Sequence, residues 1–307
     1  MTVSLQWSPV PERPKETRLL SDRGLALVEW LAEVRYATTA DGATWLKQSD
    51  RATGYQADKL SQIGFLQWIY ISHHGRRTRV WTASRHARAL LMEADPGWSD
   101  AHPHWVSVAE QRVAGYAVAH ALARNRVCLD ILMNSEQLDW AATWMFPTPR
   151  FVEPHQGVAV VPDAMLAVKG HLWCVEMERS WRGTTMQRKV AQYQTFYEHR
   201  AWGRYFPTLP RVLMVLSERS TQERSLSTWL ADVDRLRVPW LAVLPWAELM
   251  SNWQSWVWAS AGGRHQVSWL DLHAHPVRLA PTPPVESRAA RPRRFKLRPE
   301  PELPWEE

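Results

Sequence analysis

The sequence predicts an α/β protein with an N-terminal winged helix-turn-helix, a second α/β domain and a disordered tail. Within residues 21–95, three short helical patterns precede two β-prone runs and another helical pattern, which is the winged-helix order. Further along, continuous apolar runs alternate with helical patterns, as in a sheet covered on both faces. The last segment, 280–307, is rich in proline and arginine and has too few apolar residues to fold alone.

The composition is that of an ordinary folded protein with room for two domains. The 307 residues are 45% hydrophobic and 22% charged, a composition that disfavours disorder throughout the chain. The net charge is +6, and most of it lies in residues 1–92, which hold 13 Lys and Arg against 8 Asp and Glu. A positive excess favours a polyanionic partner, although only weakly. Most of the twenty tryptophans are expected to be packing residues rather than base-stacking residues.

Cysteine usage and hydropathy indicate the compartment. Cys128 and Cys174 are the two cysteines of the chain and form no CxxC pair, which disfavours a disulfide scaffold and a structural zinc site. Neither an apolar signal core nor a run long enough to span a membrane is visible. We therefore expect a cytoplasmic protein with no membrane partner.

The N-terminal domain is predicted to contain three short helices. Residues 1–20 are polar and contain prolines, which indicates a flexible arm. The first helix begins after Ser21 and Asp22, either of which would serve as N-cap. The second and third helices are expected at 39–46 and 52–60. Gly64 follows the third helix as a C-terminal cap would.

A β-hairpin is predicted directly after the third helix. Its β-prone runs, 65–71 and 78–82, are joined by a polar turn that contains glycine, and a helical pattern follows at 84–92. Arginines gather near the tip of this hairpin, where a wing would meet DNA phosphates or the minor groove. They are Arg76, Arg77 and Arg79.

The third helix carries the side chains most able to reach a DNA groove, because Gln and Lys contact base edges or phosphates. The expected DNA-binding residues of this helix are Arg51, Tyr55, Gln56 and Lys59. With the hairpin arginines, they predict double-stranded DNA as the partner. The alternative is a protein–protein module whose arginines belong to a solvated turn.

A linker is predicted at 93–104, and the second domain is predicted at 105–275. Expected helices in this domain are 106–122, 184–199 and 222–236. The expected strands are 127–133, 157–161, 165–168, 172–177, 211–216 and 239–244. The last two strands, with the helix between them, form a βαβ unit.

Three carboxylates in this domain are predicted to converge. Asp163 begins one strand, and Glu176 and Glu178 lie near the end of the next, beyond a turn at 169–171. A side-chain period of two places Glu176 and Glu178 on one face, with Asp163 opposite a residue near Glu176. Grouped acidic oxygens bind hard cations, so Mg²⁺ is the cofactor this set would take.

The same stretch resembles the PD-(D/E)xK nuclease fold, in which Pro-Asp and a following acid ligate a metal and a lysine two residues later assists the nucleophile. The winged helix with VVPDAML, LWCVEMERS and RKVAQYQTFYE resembles more closely the replication-relaxation family of plasmids and mobile elements. That resemblance covers about residues 22–245. It implies a DNA-binding protein in replication, mobilisation or its regulation, with replication or mobilisation proteins as partners.

The sequence departs from the nuclease pattern at one position. Glu178 stands where the lysine is expected, and Lys189, on the following helix, would have to reach back as the catalytic lysine. Gln192 and Tyr193 would line the same pocket, and Glu136 is a candidate for an additional acid from an earlier helix.

Several interpretations follow from this departure. One is a DNA-binding protein with a degenerate nuclease-like domain; another is an active Mg²⁺-dependent endonuclease. A third is an adaptor that binds partners through tryptophans. The two glutamates would also be explained by pairing with Arg179, Arg182 or Lys189 on a solvated face.

Other enzyme and metal signatures lack support. No phosphate-binding loop, dinucleotide-binding glycine motif or serine-hydrolase elbow occurs in the sequence. The histidine pairs at 73–74, 102 and 104, and 273 and 275 have no ligand-spaced partners. We interpret them as solvated histidines.

Overall fold

The structure is a computed structural model, and it divides the chain into two compact units, Met1–Ile131 and Leu132–Glu307. The residues it describes are 2–3, 8–11, 20–73, 76–102, 105, 115–146, 148, 151–152, 159–178, 183–217, 241–245, 256–260 and 263–267. The expected helix at 222–236 and the expected disordered tail at 280–307 lie outside them. The described elements form a mixed α/β structure.

The first unit combines helices with a small antiparallel sheet. Its helices are α1 (Asp22–Val34), α2 (Thr39–Leu46), α3 (Asp50–Ile63), α4 (Ala87–Ala94), α5 (Trp98–Ala101) and most of α6 (Gly115–Gln137), whose last residues belong to the second unit. Its strands are β1 (Thr2–Val3), β2 (Ala37–Thr38), β3 (Leu66–His73) and β4 (Arg76–Ala83), in the order β1-β3-β4-β2. Three helices, a hairpin and a further helix thus follow one another in the predicted order.

Polar caps begin the first three helices. The Ser21 hydroxyl accepts a hydrogen bond from the Gly24 amide at 3.2 Å, as predicted for an N-cap. Thr38 and Asp41 form a capping box at the start of α2, which satisfies two backbone donors that a helix leaves unpaired. Gly64 ends α3 with a φ of 101°, a left-handed conformation that favours glycine.

The hairpin β3–β4 has one face in the core of the first unit. Its residues Ile69, Ile71 and Val80 pack with Tyr36 and Val118. Because side chains alternate along a strand, Trp68, Tyr70 and their cross-strand partners, including Arg79, lie on the opposite face.

The expected flexible arm differs from the structure where the arm is described. β1 pairs antiparallel with β3, and the Ser8 amide donates to the Trp68 carbonyl at 2.9 Å. The Gln67 side chain donates to the Ser8 carbonyl at 3.0 Å. The edge of β3 supplies backbone donors and acceptors that these residues satisfy.

The expected linker at 93–104 also differs, since much of it is helical and packed. Trp98 is buried, and its ring stacks on His102 with centroids 4.2 Å apart. The Trp105 indole donates to the Ala32 carbonyl of α1 at 3.0 Å. The boundary between the units falls within α6, after Ile131, whereas the sequence predicts the linker between domains at 93–104.

The prediction of a strand at 127–133 is wrong, because these residues belong to α6. Val127, Cys128 and Ile131 are all fully buried. When a short apolar run is buried on several sides, its hydrophobic periodicity does not distinguish a strand from a helix. The Asn125 side chain donates to the Tyr36 carbonyl, so this part of α6 is held by the first unit.

The second unit contains a mixed sheet. Its strands are β5 (Ala142–Trp144), β6 (Phe151–Val152), β7 (Ala159–Val160), β8 (Ala164–Val168), β9 (His171–Glu178), β10 (Arg211–Leu216), β11 (Leu241–Pro245), β12 (Trp256–Ser260) and β13 (Gly263–Val267). The seven-stranded sheet has the order β13-β12-β11-β10-β9-β8-β5, and β6 pairs with β7. The strands predicted at 165–168, 172–177 and 211–216 are confirmed.

Helix α7 (Gly183–Glu198) connects β9 to β10, and these two strands are parallel. A short 3₁₀ helix at Ala201–Arg204 follows it. Val190 and Tyr193 of α7 pack on one sheet face, against Cys174 of β9 and Met214 of β10. This connection brings α7 over the end of β9 that carries the acidic residues.

No helix in the described ranges combines the length and apolar character that crossing a membrane requires.

Candidate functional site

Helix α3 presents a polar face to solvent. Arg51, Tyr55 and Lys59 are exposed, and Tyr55 keeps 74% of its accessible surface. Thr53 and Ala57, on the opposite side of the helix, are buried. Three of the four residues expected to reach a DNA groove therefore lie on the exposed face of α3.

Gln56 is placed differently from the other three. Its side-chain amide donates to the Ser21 hydroxyl at 3.3 Å, and its carbonyl oxygen accepts from the Gln48 side chain at 3.2 Å. Gln56 is half-buried and joins α3 to the start of α1 and the end of α2. These bonds use both ends of the amide for contacts within the first unit.

Arg79 lies on the outer face of the hairpin among aromatic rings. Its guanidinium is 4.8 Å from the ring centroid of Trp68 and 5.2 Å from that of Trp81. It also pairs with Asp58 of α3, with 2.5 Å between Nη1 and Oδ1. Cation–π contacts of this kind hold the guanidinium in place while leaving it partly solvated.

Arg77 lies further toward the hairpin tip and is exposed. Its guanidinium is 4.4 Å from the ring centroid of Tyr70. Arg76 begins β4, and its side chain lies outside the described residues. Trp68, Tyr70 and Asp58 were missed from the sequence, although alternation along β3 places both aromatic residues on one face.

Three carboxylates of the second unit lie at or beside the β8–β9 hairpin. We call Asp163, Glu176 and Glu178 the acidic cluster. Ala164 pairs with Val175 in the β8–β9 hairpin, so Asp163 lies across from Glu176. The Asp163 carboxylate accepts a hydrogen bond from the Met177 amide at 2.8 Å, which fixes its position at the end of β9.

Lys189 reaches the acidic cluster from α7. Its Nζ lies 2.7 Å from Glu176 Oε2 and 2.8 Å from Glu178 Oε1. A third distance, to Asp163 Oδ2, is 3.8 Å. Burial opposes the lysine charge, but the carboxylates of Glu176, Asp163 and Glu178 hold the pKa of Lys189 well above its usual value.

Tyr193 completes the surroundings of Glu176. It lies one helical turn after Lys189, and its hydroxyl donates to Glu176 Oε1 at 2.7 Å. Burial raises the pKa of Glu176 to about 7, because the opposing effect of Lys189 is smaller and Asp163 adds repulsion. The i, i+4 spacing of Lys189 and Tyr193 was the sequence signal for this arrangement.

The acidic cluster as arranged does not fit a divalent cation. Over the ranges that the structure describes, no group of three or more His, Cys, Asp or Glu side chains is placed to hold a metal ion. The lysine ammonium lies at the oxygens that would otherwise act as ligands. Glutamate and lysine here form a buried ion pair rather than the solvated pairing considered as an alternative.

The remaining candidates lie in different surroundings. Gln192 is half-buried on α7, and Glu136 is exposed in the last turn of α6. The interpretation of His102 as solvated is wrong, because its side chain is 9% exposed and its Nε2 lies 2.6 Å from Glu33 Oε1. Arg179, Arg182, His104, the side chain of His73 and the histidines at 74, 273 and 275 lie outside the described residues.

Comparison with known proteins identifies the family. A family model described as replication-relaxation matches residues 28–212, which is more than half of the 307 residues. No curated protein and no solved structure matches the chain significantly. The matched range includes helix α3, the hairpin, the acidic cluster and Lys189. The chain belongs to the replication-relaxation family.

Proposed function

We propose that the chain is a DNA-binding protein that acts in the replication or mobilisation of a plasmid or other mobile element, or in its regulation. The first unit docks on double-stranded DNA as a winged helix-turn-helix. The observation that carries this proposal is the exposed face of α3 beside the arginine-bearing face of the hairpin, in a chain of the replication-relaxation family.

The two surfaces suit different parts of a duplex. The exposed side chains Arg51, Tyr55 and Lys59 project from a helix, which is the element that fits the major groove. Arg77 and Arg79 carry fixed positive charge on a hairpin, as a wing does at phosphates. The Asp58–Arg79 ion pair connects the helix to the hairpin, so both surfaces would dock as one body.

The second unit serves, in this proposal, as a nuclease-like scaffold that does not cleave DNA. Support comes from the order of Asp163 before β8, Glu176 on β9 and Lys189 on α7. That order resembles the PD-(D/E)xK arrangement, with Glu178 in place of the lysine. A degenerate site leaves the unit to contact DNA or partner proteins of replication and mobilisation, in the cytoplasm.

DNA binding by the hairpin is tested with the full chain and a fluorescent duplex. Removing one Lys or Arg that contacts a phosphate lowers the slope of log Kd against log salt concentration by about 0.9. The double variant Arg77→Ala and Arg79→Ala should therefore lower that slope by about 2 and weaken binding at least about tenfold. Arg204→Ala, an exposed position in the second unit, is the control for loss of an arginine elsewhere and should lower the slope much less than the double variant does. Unchanged binding by the double variant would show that the hairpin is not the DNA surface.

A Mg²⁺-dependent endonuclease is the second candidate function. The convergence of Asp163, Glu176 and Glu178 on Lys189 within 3.8 Å favours it, since nuclease sites place a lysine beside acidic residues. This candidate requires the ammonium to move away from the oxygens that would bind the cation. It predicts cleavage that EDTA abolishes and that Asp163→Ala removes without loss of DNA binding. No cleavage of duplex, nicked or single-stranded DNA with Mg²⁺ or Mn²⁺ would exclude it.

A further inference from the structure

The three carboxylate side chains of the acidic cluster are largely buried, which costs free energy unless hydrogen-bond donors or a cation lie beside them. The side chains of Glu176 and Glu178 keep only 3% and 10% of their accessible surface, and that of Asp163 keeps 22%. A buried carboxylate needs donors or a cation, because it loses the hydration that water provides. The groups that supply these donors or this positive charge therefore indicate the role of the site.

Groups of the chain itself supply the compensation. The Met177 amide donates to Asp163 Oδ2 at 2.8 Å, and the Tyr193 hydroxyl donates to Glu176 Oε1 at 2.7 Å. Glu176 Oε2 and Glu178 Oε1 lie at 2.7 Å and 2.8 Å from the Lys189 ammonium. Each carboxylate thus has at least one partner that is a backbone amide, a hydroxyl or an ammonium of the same unit.

The lysine is held in place by its helix. Val190, the next residue, and Tyr193, one turn later, are buried against the sheet. The i, i+4 spacing directs Lys189 and Tyr193 to the same carboxylate, Glu176. Moving the ammonium away would leave Glu176 buried beside two other carboxylates, so the lysine is a built-in part of the cluster.

We propose that the Lys189 ammonium is the permanent cation of the acidic cluster and takes the place that a divalent metal ion has in nucleases of similar arrangement. Because the ammonium already lies beside an oxygen of each carboxylate, the wild-type chain folds without a metal ion and gains no stability from one. This inference rests on the proposed function and deepens it, since it gives the physical reason for a scaffold that does not cleave.

The first test uses the wild-type full chain without DNA, so that its outcome does not depend on whether the protein binds DNA. Thermal unfolding is followed in EDTA and then with MgCl₂ or MnCl₂ at millimolar concentration. A ligand that binds only the folded state raises Tm by mass action. We expect a change in Tm below about 1 °C; a rise of about 3 °C or more, corresponding to roughly 1 kcal/mol for a unit of this size, would overturn the proposal.

The second test removes the ammonium and keeps the volume. Lys189→Met leaves the carboxylates without their cation, so Mn²⁺ should now raise Tm by at least about 3 °C and bind at least about tenfold more tightly than it binds the wild type. Arg188→Met is the matched control, because Arg188 is the exposed neighbour on α7; it should respond to Mn²⁺ as the wild type does.

The outcomes of the second test are read together with the first. Stabilisation of Lys189→Met by Mn²⁺ that is absent from the wild type and from Arg188→Met supports the proposal. A folded Lys189→Met that Mn²⁺ leaves unchanged overturns it, because the ammonium is then not what excludes the metal. If Lys189→Met is unfolded in EDTA and with Mn²⁺ alike, the wild-type measurement alone decides.

Discussion

Arg79 of β4 and Asp58 of α3 form an ion pair, with 2.5 Å between Nη1 and Oδ1. The Asp58 side chain is 51% exposed, and the Arg79 side chain is 33% exposed. The pair joins the hairpin to the helix that we propose to enter a DNA groove. It also sets a negative charge on the surface that would face phosphates.

We expect Asp58→Asn to strengthen DNA binding about twofold to fivefold at moderate salt. The change removes a like charge from the side facing the phosphates and releases Arg79 for a phosphate contact. The stability cost should stay below about 1 kcal/mol, because a pair this exposed is screened by solvent. Fluorescence anisotropy with a duplex measures the first effect and thermal unfolding the second. Weaker DNA binding by Asp58→Asn would mean that the pair positions Arg79 for docking.

Gln56 and Lys59 should behave differently although both lie on α3. Gln56→Ala removes hydrogen bonds to Ser21 and Gln48, so we expect a loss of about 1 kcal/mol in the free energy of unfolding. Lys59→Ala removes an exposed charge, so we expect weaker DNA binding with little change in stability. Urea unfolding and anisotropy on both variants separate the two effects. The reverse pattern would contradict the assignment of Gln56 to helix packing.

The His102–Glu33 pair should make the stability of the first unit depend on pH. Burial lowers the pKa of His102, but hydrogen bonding and attraction to Glu33 outweigh it, so the pKa lies above the usual 6.5. A raised folded-state pKa stabilises the protein fully below the unfolded-state pKa, and this contribution is lost as the pH rises through the folded-state value. Glu33→Gln should therefore cost about 1–3 kcal/mol near pH 6 and less near pH 9.5.

Urea unfolding at both pH values measures this difference. Glu93→Gln is the control, since Glu93 is an exposed acid on α4, and its small effect should be similar at both pH values. An equal loss of stability in Glu33→Gln at the two pH values would show that His102 carries no charge in the folded state.

Tyr193→Phe should destabilise the second unit by about 1–3 kcal/mol, because it leaves a buried oxygen of Glu176 without its hydroxyl donor while nearly preserving volume. Tyr116→Phe is the matched control, since Tyr116 is 77% exposed and should change stability little. Chemical denaturation of both variants provides the comparison. Equal stabilities would show that the Tyr193 hydroxyl does not compensate the buried carboxylate.

Local patterns in the sequence were sufficient for most elements around the two sites. Gly64 was recognised as a cap, and Ser21 as one of two candidates, because a cap acts on backbone groups a few residues away. Asp163 could be placed near Glu176 because a tight hairpin has a register that its turn determines.

The sequence by itself thus determined the order of elements and the pairing of residues close along the chain. Only the tertiary structure decided that 127–133 is helical, that Gln56 and His102 have partners inside the first unit, and that Lys189 lies among three carboxylates. These outcomes depend on contacts between separate elements of the fold. Where water is excluded, the free energies of such contacts exceed the local conformational preferences of the residues. For that reason Lys189 of α7 supplies the positive charge that β9, with Glu178 in place of a lysine, lacks.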